Sequence, residues 1–128
     1  DECMDSIQSA LRAWNENSVD IINLKISRLG GLSKSKLFKD ICCSLGISLT
    51  IEDSWGSQIA DAAIGHLAHT TPAELHFQSS AFHEYTNVVT AEGAPTVKEG
   101  YMYCSENPGL GIIPNHKELG NPVLHFFD

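Results

Sequence analysis

Three places in this 128-residue chain carry side chains able to do chemistry together: "DEC" at residues 1–3, Lys25 in "DIINLKISRLGG", and "IEDSW" at residues 51–55. Lys25 stands in an apolar run with Ile21, Ile22, Leu24 and Ile26 for neighbours, and the run ends at the pair Gly30–Gly31. A lysine there needs a partner or a task. Side chains alternate across a strand, so Ile22, Leu24 and Ile26 share one face, and Ile21, Asn23 and Lys25 the other. In "ISLTIE", residues 47–52, Ile47, Leu49 and Ile51 share a face, and Ser48, Thr50 and Glu52 take the other. Each strand has one greasy side and one that turns polar towards its C-terminal end. Lys25, Glu52 and Asp53 fall at such ends, and Asp1 and Glu2 stand where an earlier strand would end. A lysine beside carboxylates has two readings. It is a structural ion pair, or it is an acid/base whose ammonium is destabilised by burial or by a nearby cation.

The elements that position these residues follow from periodicity. Ile7, Ala10, Leu11 and Trp14 recur at helical spacing over residues 5–16, with Asp5 or Ser6 as cap. Residues 19–26 read as a strand, "RLGG" as a turn, and Ser33 as the cap of a helix carrying Leu37, Phe38, Ile41, Cys42 and Leu45. Gly46 stands where a helix end takes a left-handed residue. A strand over 47–52, a helix over 58–69 stopped by Pro72, and a strand in "ELHFQSS" complete the order helix, strand, helix, strand, helix, strand. That alternation predicts parallel strands joined by crossover helices. From Asp20 to Ile47 and from Ile47 to Glu74 the interval is 27 residues each time, so architecture repeats although sequence does not. A parallel barrel collects chemistry at the C-terminal ends of its strands. An open doubly wound sheet, greasy on both faces, fits less well. The expected fold is therefore α/β, the C-terminal part of a (β/α) TIM-like barrel. Residues 1–80 form the β/α units, and residues 81–128, rich in Gly, Pro and Asn, form a tail packed over them.

Bulk properties narrow the partners. Eight Lys and Arg face 16 Asp and Glu, a formal net charge of −8. That argues against a nucleic-acid backbone or an anionic membrane surface. No apolar run approaches the ~20 residues that span a bilayer. The opening "DECMDS" reads as mid-protein sequence and shows no signal-peptide pattern. Cys42 and Cys43 are adjacent within a helical pattern and poorly placed to bridge each other. With Cys3 and Cys104 they give no C-x-x-C, so reduced thiols in an intracellular, cytoplasmic protein are expected. His66 and His69 are three apart on a helix, but no carboxylate cluster accompanies them on that face, and they read as outer-helix residues. His76 is ambiguous between the two faces. Gly109 and Gly111 in "PGLG" read as turn glycines, since no G-K follows as in a phosphate loop. "SKSKLFK" reads as a solvated helix face.

The local wording adds a resemblance. "LKISRLGGLSKSK" resembles the lysine strand and turn of the enolase superfamily, in its mandelate racemase and muconate lactonizing enzyme-like branch. There a barrel lysine is followed three residues on by a basic residue and then a glycine pair; Lys25, Arg28, Gly30 and Gly31 match. "DEC" resembles the Asp-Glu pair ending the previous strand. "TIEDSWGSQIADAAIGHLA" resembles the next strand and helix, and "ENPGLGIIPNHKELGNPV" the C-terminal tail. The resemblance covers essentially the whole chain.

What it implies is concrete. Family members abstract a proton alpha to a carboxylate, and a magnesium ion stabilises the enediolate; this superfamily is a standard case of a Lys or His base with one or two such ions. Lys25 would be the catalytic base or acid, Asp1 a Mg2+ ligand, and Glu2 a weaker ligand or one acting on the metal from behind its direct ligands. Within the branch "EDSWG" looks like members acting on proline betaines and hydroxyprolines, the 2-epimerases and cis-3-hydroxyproline dehydratases. Glu52, Asp53 and Trp55 would then contact a small carboxylate substrate, the indole facing its ammonium. The other reading of Trp55 is a loop aromatic packed against the tail. Dipeptide epimerases tend to show Asp-x-Asp here, which Glu52, Asp53 and Ser54 do not give. A complete barrel needs about 250 residues, so the chain is expected to be the C-terminal portion of a longer enzyme. The rest of that enzyme would be its first partner, and homo-oligomers are common in the family. The alternative is a non-catalytic remnant retaining only the fold.

Overall fold

The structure, a computed structural model, describes residues 2–126. The first helix, α1 (Ile7–Asn15), is capped by Ser6, whose Oγ accepts a hydrogen bond of 3.2 Å from the Ser9 amide. Strand β1 runs over Ile21–Lys25. Ile26, expected as the last strand residue, instead opens a short helix α2 (Ile26–Leu29). Gly30 (φ 87°) and Gly31 (φ 106°) then turn the chain in a region that side-chain-bearing residues avoid. The expected cap of the next helix, Ser33, lies inside it: α3 spans Leu32–Ser44, and Gly31 is its N-cap. The glycine pair ends one helix and starts another within two residues, leaving no room for a separate cap. Gly46 adopts the expected left-handed conformation, φ 76°.

Strand β2 (Ser48–Glu52), helix α4 (Gln58–His69) and strand β3 (His76–Ser79) follow. The strands form one sheet in the order β1-β2-β3, and both pairings are parallel. Ile22, Leu24, Leu49 and Ile51 point to one face, where Phe38 and Cys42 of α3 and Ile64 and Leu67 of α4 cover them in the main core cluster. Burial pushes the Cys42 thiol up to about 12, so it behaves as a small apolar side chain. The opposite face carries Asn23, Lys25 and Glu52, all partly exposed, and Thr50, which is buried. One covered face and one polar face is the pattern of a barrel wall.

After β3 come a single 3-10 turn (Phe82–Tyr85), strands β4 (Ala91–Glu92), β5 (Thr96–Lys98), β6 (Tyr101–Tyr103) and β7 (Ile113–Pro114), and a short helix α5 (His116–Leu119). β4 pairs with β7 and β5 with β6, both antiparallel. Glu99 (φ 53°) and Gly100 (φ 81°) make the two-residue loop of the β5–β6 hairpin, both left-handed as such loops require. This segment fastens to α4. Gln58 accepts from the Ala91 amide through Oε1 at 2.9 Å, and its own amide donates to Thr90 Oγ1 at 3.2 Å.

Candidate active site

The C-terminal ends of the three parallel strands gather most of the reactive side chains. Lys25 ends β1, and its backbone pairs in register with Glu52, the last residue of β2. The Lys25 amine donates to Glu2 Oε1 at 2.5 Å. The other carboxylate oxygen of Glu2 meets the Arg28 guanidinium. Arg28 reaches it because α2 begins directly after the strand and carries it one turn beyond Lys25. Both cations are largely covered, whereas the Glu2 side chain is 65% exposed. Hydrogen bonds from Lys25 and then Arg28 hold the Glu2 carboxyl below the usual carboxylate range.

The other two expected carboxylates are engaged differently. Glu52 accepts from Asn23 Nδ2 at 2.9 Å and from Ser80 Oγ at 3.4 Å, so it ties the ends of all three strands together. Asp53 turns to the start of α2. It receives the Ser27 amide at 3.2 Å, the Ser27 hydroxyl, and the Ser54 amide at 2.7 Å. It is 8% exposed: its carboxylate satisfies backbone donors at a helix N-terminus.

Trp55 lies in the loop after β2 and is 73% exposed. Its ring centroid is 5.9 Å from that of Phe82 and 6.1 Å from that of Tyr85 in an edge-on arrangement. Phe82 and Tyr85 belong to the turn after β3, so three aromatic rings from two strand-end loops form one group. Trp55 thus meets the first residues of the tail and keeps most of its surface open.

The periodicity of the sequence did not reveal Asp61. It is fully buried on α4 and accepts from the amides of Phe82, 3.0 Å, and His83, 2.9 Å, and from His83 Nδ1. Asn23 was placed on the Lys25 face by alternation, but its bond to Glu52 requires the strand register. Of the outlying histidines, His69 contacts the Gly65 carbonyl through Nδ1 at 3.0 Å. Burial lowers the basicity of His76, whose Nε2 lies 2.8 Å from Ser79 Oγ.

Asp1 lies outside the described residues. Glu2 offers the hard oxygen donors that magnesium takes. Both its oxygens already face cations, however, and among the described residues no group of three or more His, Cys, Asp or Glu could hold a metal ion. The described residues do not form a magnesium site by themselves. No described helix is long and apolar enough to cross a membrane.

Comparison with known proteins supplies the context. Residues 1–118 match the family described as enolase C-terminal domain-like. The cis-3-hydroxy-L-proline dehydratase of Roseibium aggregatum is 48% identical over 126 residues, covering 98% of this chain and 34% of that protein. A mandelate racemase/muconate lactonizing enzyme structure from Roseovarius nubinhibens ISM superposes with a TM-score of 0.91 at 40% identity, covering 96% of this chain and 33% of that one. Another from the same organism, solved with magnesium, gives a TM-score of 0.92 at 30% identity over 98% of this chain and 34% of that one. The chain thus spans about a third of the length of these relatives, which fits an incomplete barrel.

Proposed function

The chain belongs to the enolase C-terminal domain-like family, and on that premise we propose that it is the lysine-bearing portion of an enzyme that moves a proton alpha to a carboxylate. The observation that carries the proposal is the placement of Lys25. It ends a parallel strand, its amine rests on Glu2, and its register partner is Glu52. The substrate class is a proline-type amino acid or betaine, with cis-3-hydroxy-L-proline the first choice from the similarity to the Roseibium dehydratase.

In the forward direction the neutral amine of Lys25 takes the α-proton. The C–H bond breaks, an N–H bond forms, and the electron pair moves towards the substrate carboxylate as an enediolate. Delivering a proton to the opposite face of the carbon, from an acid outside this chain, gives racemisation or epimerisation. Passing the proton from the Lys25 ammonium to the β-hydroxyl, whose C–O bond then breaks to release water, gives dehydration. Glu2 holds the lysine ammonium between these events. Arg28 shares the same carboxylate, so neither cation has it alone. Glu52, braced by Asn23 and Ser80, keeps the strand ends in register. The open rings of Trp55 and Tyr85 offer π-faces to the substrate ammonium. In the whole enzyme Asp1 and Glu2 would contribute to a magnesium site completed by ligands from outside this chain; bound there, the ion supplies positive charge against the enediolate.

The test is α-carbon proton–deuterium exchange on the whole enzyme with magnesium, using cis-3-hydroxy-L-proline and proline betaine, beside its Lys25→Ala variant. Exchange in the wild type with a loss of roughly 10²–10⁴-fold in the variant is expected for an acid/base residue. Equal exchange in both would remove Lys25 from the chemistry. No exchange from a folded wild type would favour a remnant that has kept only the fold.

A further inference from the structure

The buried carboxylate of Asp61 has no place in the proton transfer, yet it gathers three donors from one short segment. They are the amides of Phe82 and His83 and the imidazole Nδ1 of His83. Asp61 is fully buried, and burying a carboxylate is costly unless its oxygens are satisfied. Two neighbouring amides and the side chain between them fix both position and rotation of the 3-10 turn Phe82–Tyr85. That turn holds two of the three rings of the aromatic group, Phe82 and Tyr85, centroids 6.4 Å apart. The third, Trp55, comes from the other loop and depends on them for its packing.

We propose that Asp61, acting through His83 and the Phe82 and His83 amides, is a positioning residue. It sets the aromatic face formed by Trp55, Phe82 and Tyr85 so that the face receives the ammonium group of the substrate. The proposal rests on the functional reading above for the identity of the ligand, and adds the device that holds the receptor. The chemistry is specific in direction. A carboxylate accepts all three donors at once, whereas an Asn at this position has one acceptor oxygen and presents an NH2 group to donors. Asp61→Asn therefore releases the turn without changing side-chain size. His83→Asn keeps an N–H at the place of Nδ1, able to reach the carboxylate, and His83→Leu does not.

The experiment measures binding rather than turnover. Tetramethylammonium is titrated into the whole enzyme by proton NMR, with tert-butanol as the uncharged analogue of the same shape, and thermal unfolding follows each variant. The wild type and His83→Asn are expected to bind the cation in preference to the alcohol. Asp61→Asn and His83→Leu are expected to lose roughly tenfold in cation affinity, the scale of one cation–π contact. Binding of the alcohol should not move. Should Asp61→Asn fail to fold, His83→Leu decides, because it leaves Asp61 on its two backbone amides. Unchanged cation affinity in a folded Asp61→Asn or His83→Leu protein overturns the proposal, as does a wild type that does not distinguish the cation from the alcohol. Either result leaves the α-proton exchange reading standing if exchange occurs. Absent exchange with intact, Asp61-dependent cation binding would overturn that reading and keep this one.

Discussion

Gly65→Ala isolates how the segment after β3 sits on α4. A Cβ built on Gly65 would stand 2.0 Å from Cys104 Sγ, 3.5 Å from Met102 Sδ and 3.6 Å from Cys104 Cβ. Ordinary heavy-atom contacts begin at about 3.5 Å, so only the sulfur of Cys104 is overrun, by about 1.5 Å. Two effects oppose each other. Forcing an extra methyl into a filled site costs about 1–3 kcal/mol, while replacing glycine by alanine inside a helix returns about 1 kcal/mol. The single variant should therefore be destabilised by up to about 2 kcal/mol. Cys104→Ala removes the overrun atom and leaves the next contacts at 3.5 and 3.6 Å, which are unstrained. In that background Gly65→Ala should stabilise by about 1 kcal/mol, an interaction energy of about 1–3 kcal/mol across the double-mutant cycle. Urea unfolding of the four proteins gives it directly. If Gly65→Ala stabilises equally in both backgrounds, Cys104 is not packed against α4 and the placement of the tail fails with it.

Two further outcomes follow from a buried lysine and a half-buried histidine. Lys39 is 3% exposed and donates to the Thr70 carbonyl at the end of α4, 2.7 Å away; Lys39→Met leaves that carbonyl unpaired and should cost about 1–3 kcal/mol, and an unchanged urea midpoint would deny the bond its role. Burial lowers the His76 pKa from its ordinary 6.5, so the unfolded chain takes up the proton first; stability should be full above 6.5, fall as pH drops below it, and fall less in His76→Gln, which melting temperatures across that window would show.

Much of the framework was legible because hydrophobic periodicity reports which face of an element is covered. The helix over Gln58–His69 is legible with the observed bounds, since a regular apolar stripe runs along it and Pro72 stops it. The parallel order followed from alternation, and Lys25 was placed on the polar face because strand period is two. The errors lie where backbone conformation changes within a residue or two. Ile26 keeps the apolar alternation of β1, so nothing in composition announces that it starts a helix. Ser33 has the chemistry of a cap, but Gly31 already occupies the turn. For the site, the carboxylates were legible as residues but not as partners. Asp53 looks like Glu52's twin in sequence, yet one binds the backbone of α2 and the other braces three strands.

The part that escaped periodicity has its own pattern, visible once the tail is in view. Gln58, Asp61 and Gly65 stand at i, i+3 and i+7, one stripe of α4. Each meets a different piece of the segment after β3. Gln58 holds Thr90 and Ala91, Asp61 holds Phe82 and His83, and Gly65 admits Met102 and Cys104. Ile64 and Leu67 face the core instead. A helix with a greasy stripe on one side and a glutamine, an aspartate and a glycine on another would ordinarily be taken as simply half solvated. Here the second stripe is buried at Asp61 and Gly65, and its side chains are matched to backbone donors and to a sulfur rather than to water. α4 is therefore a two-sided element. Its core face packs on β2 and β3, and its tail face fixes the turn that carries Phe82 and Tyr85. Lys25 and the aromatic face are linked through β2, which pairs in register with the lysine's strand and lies under α4.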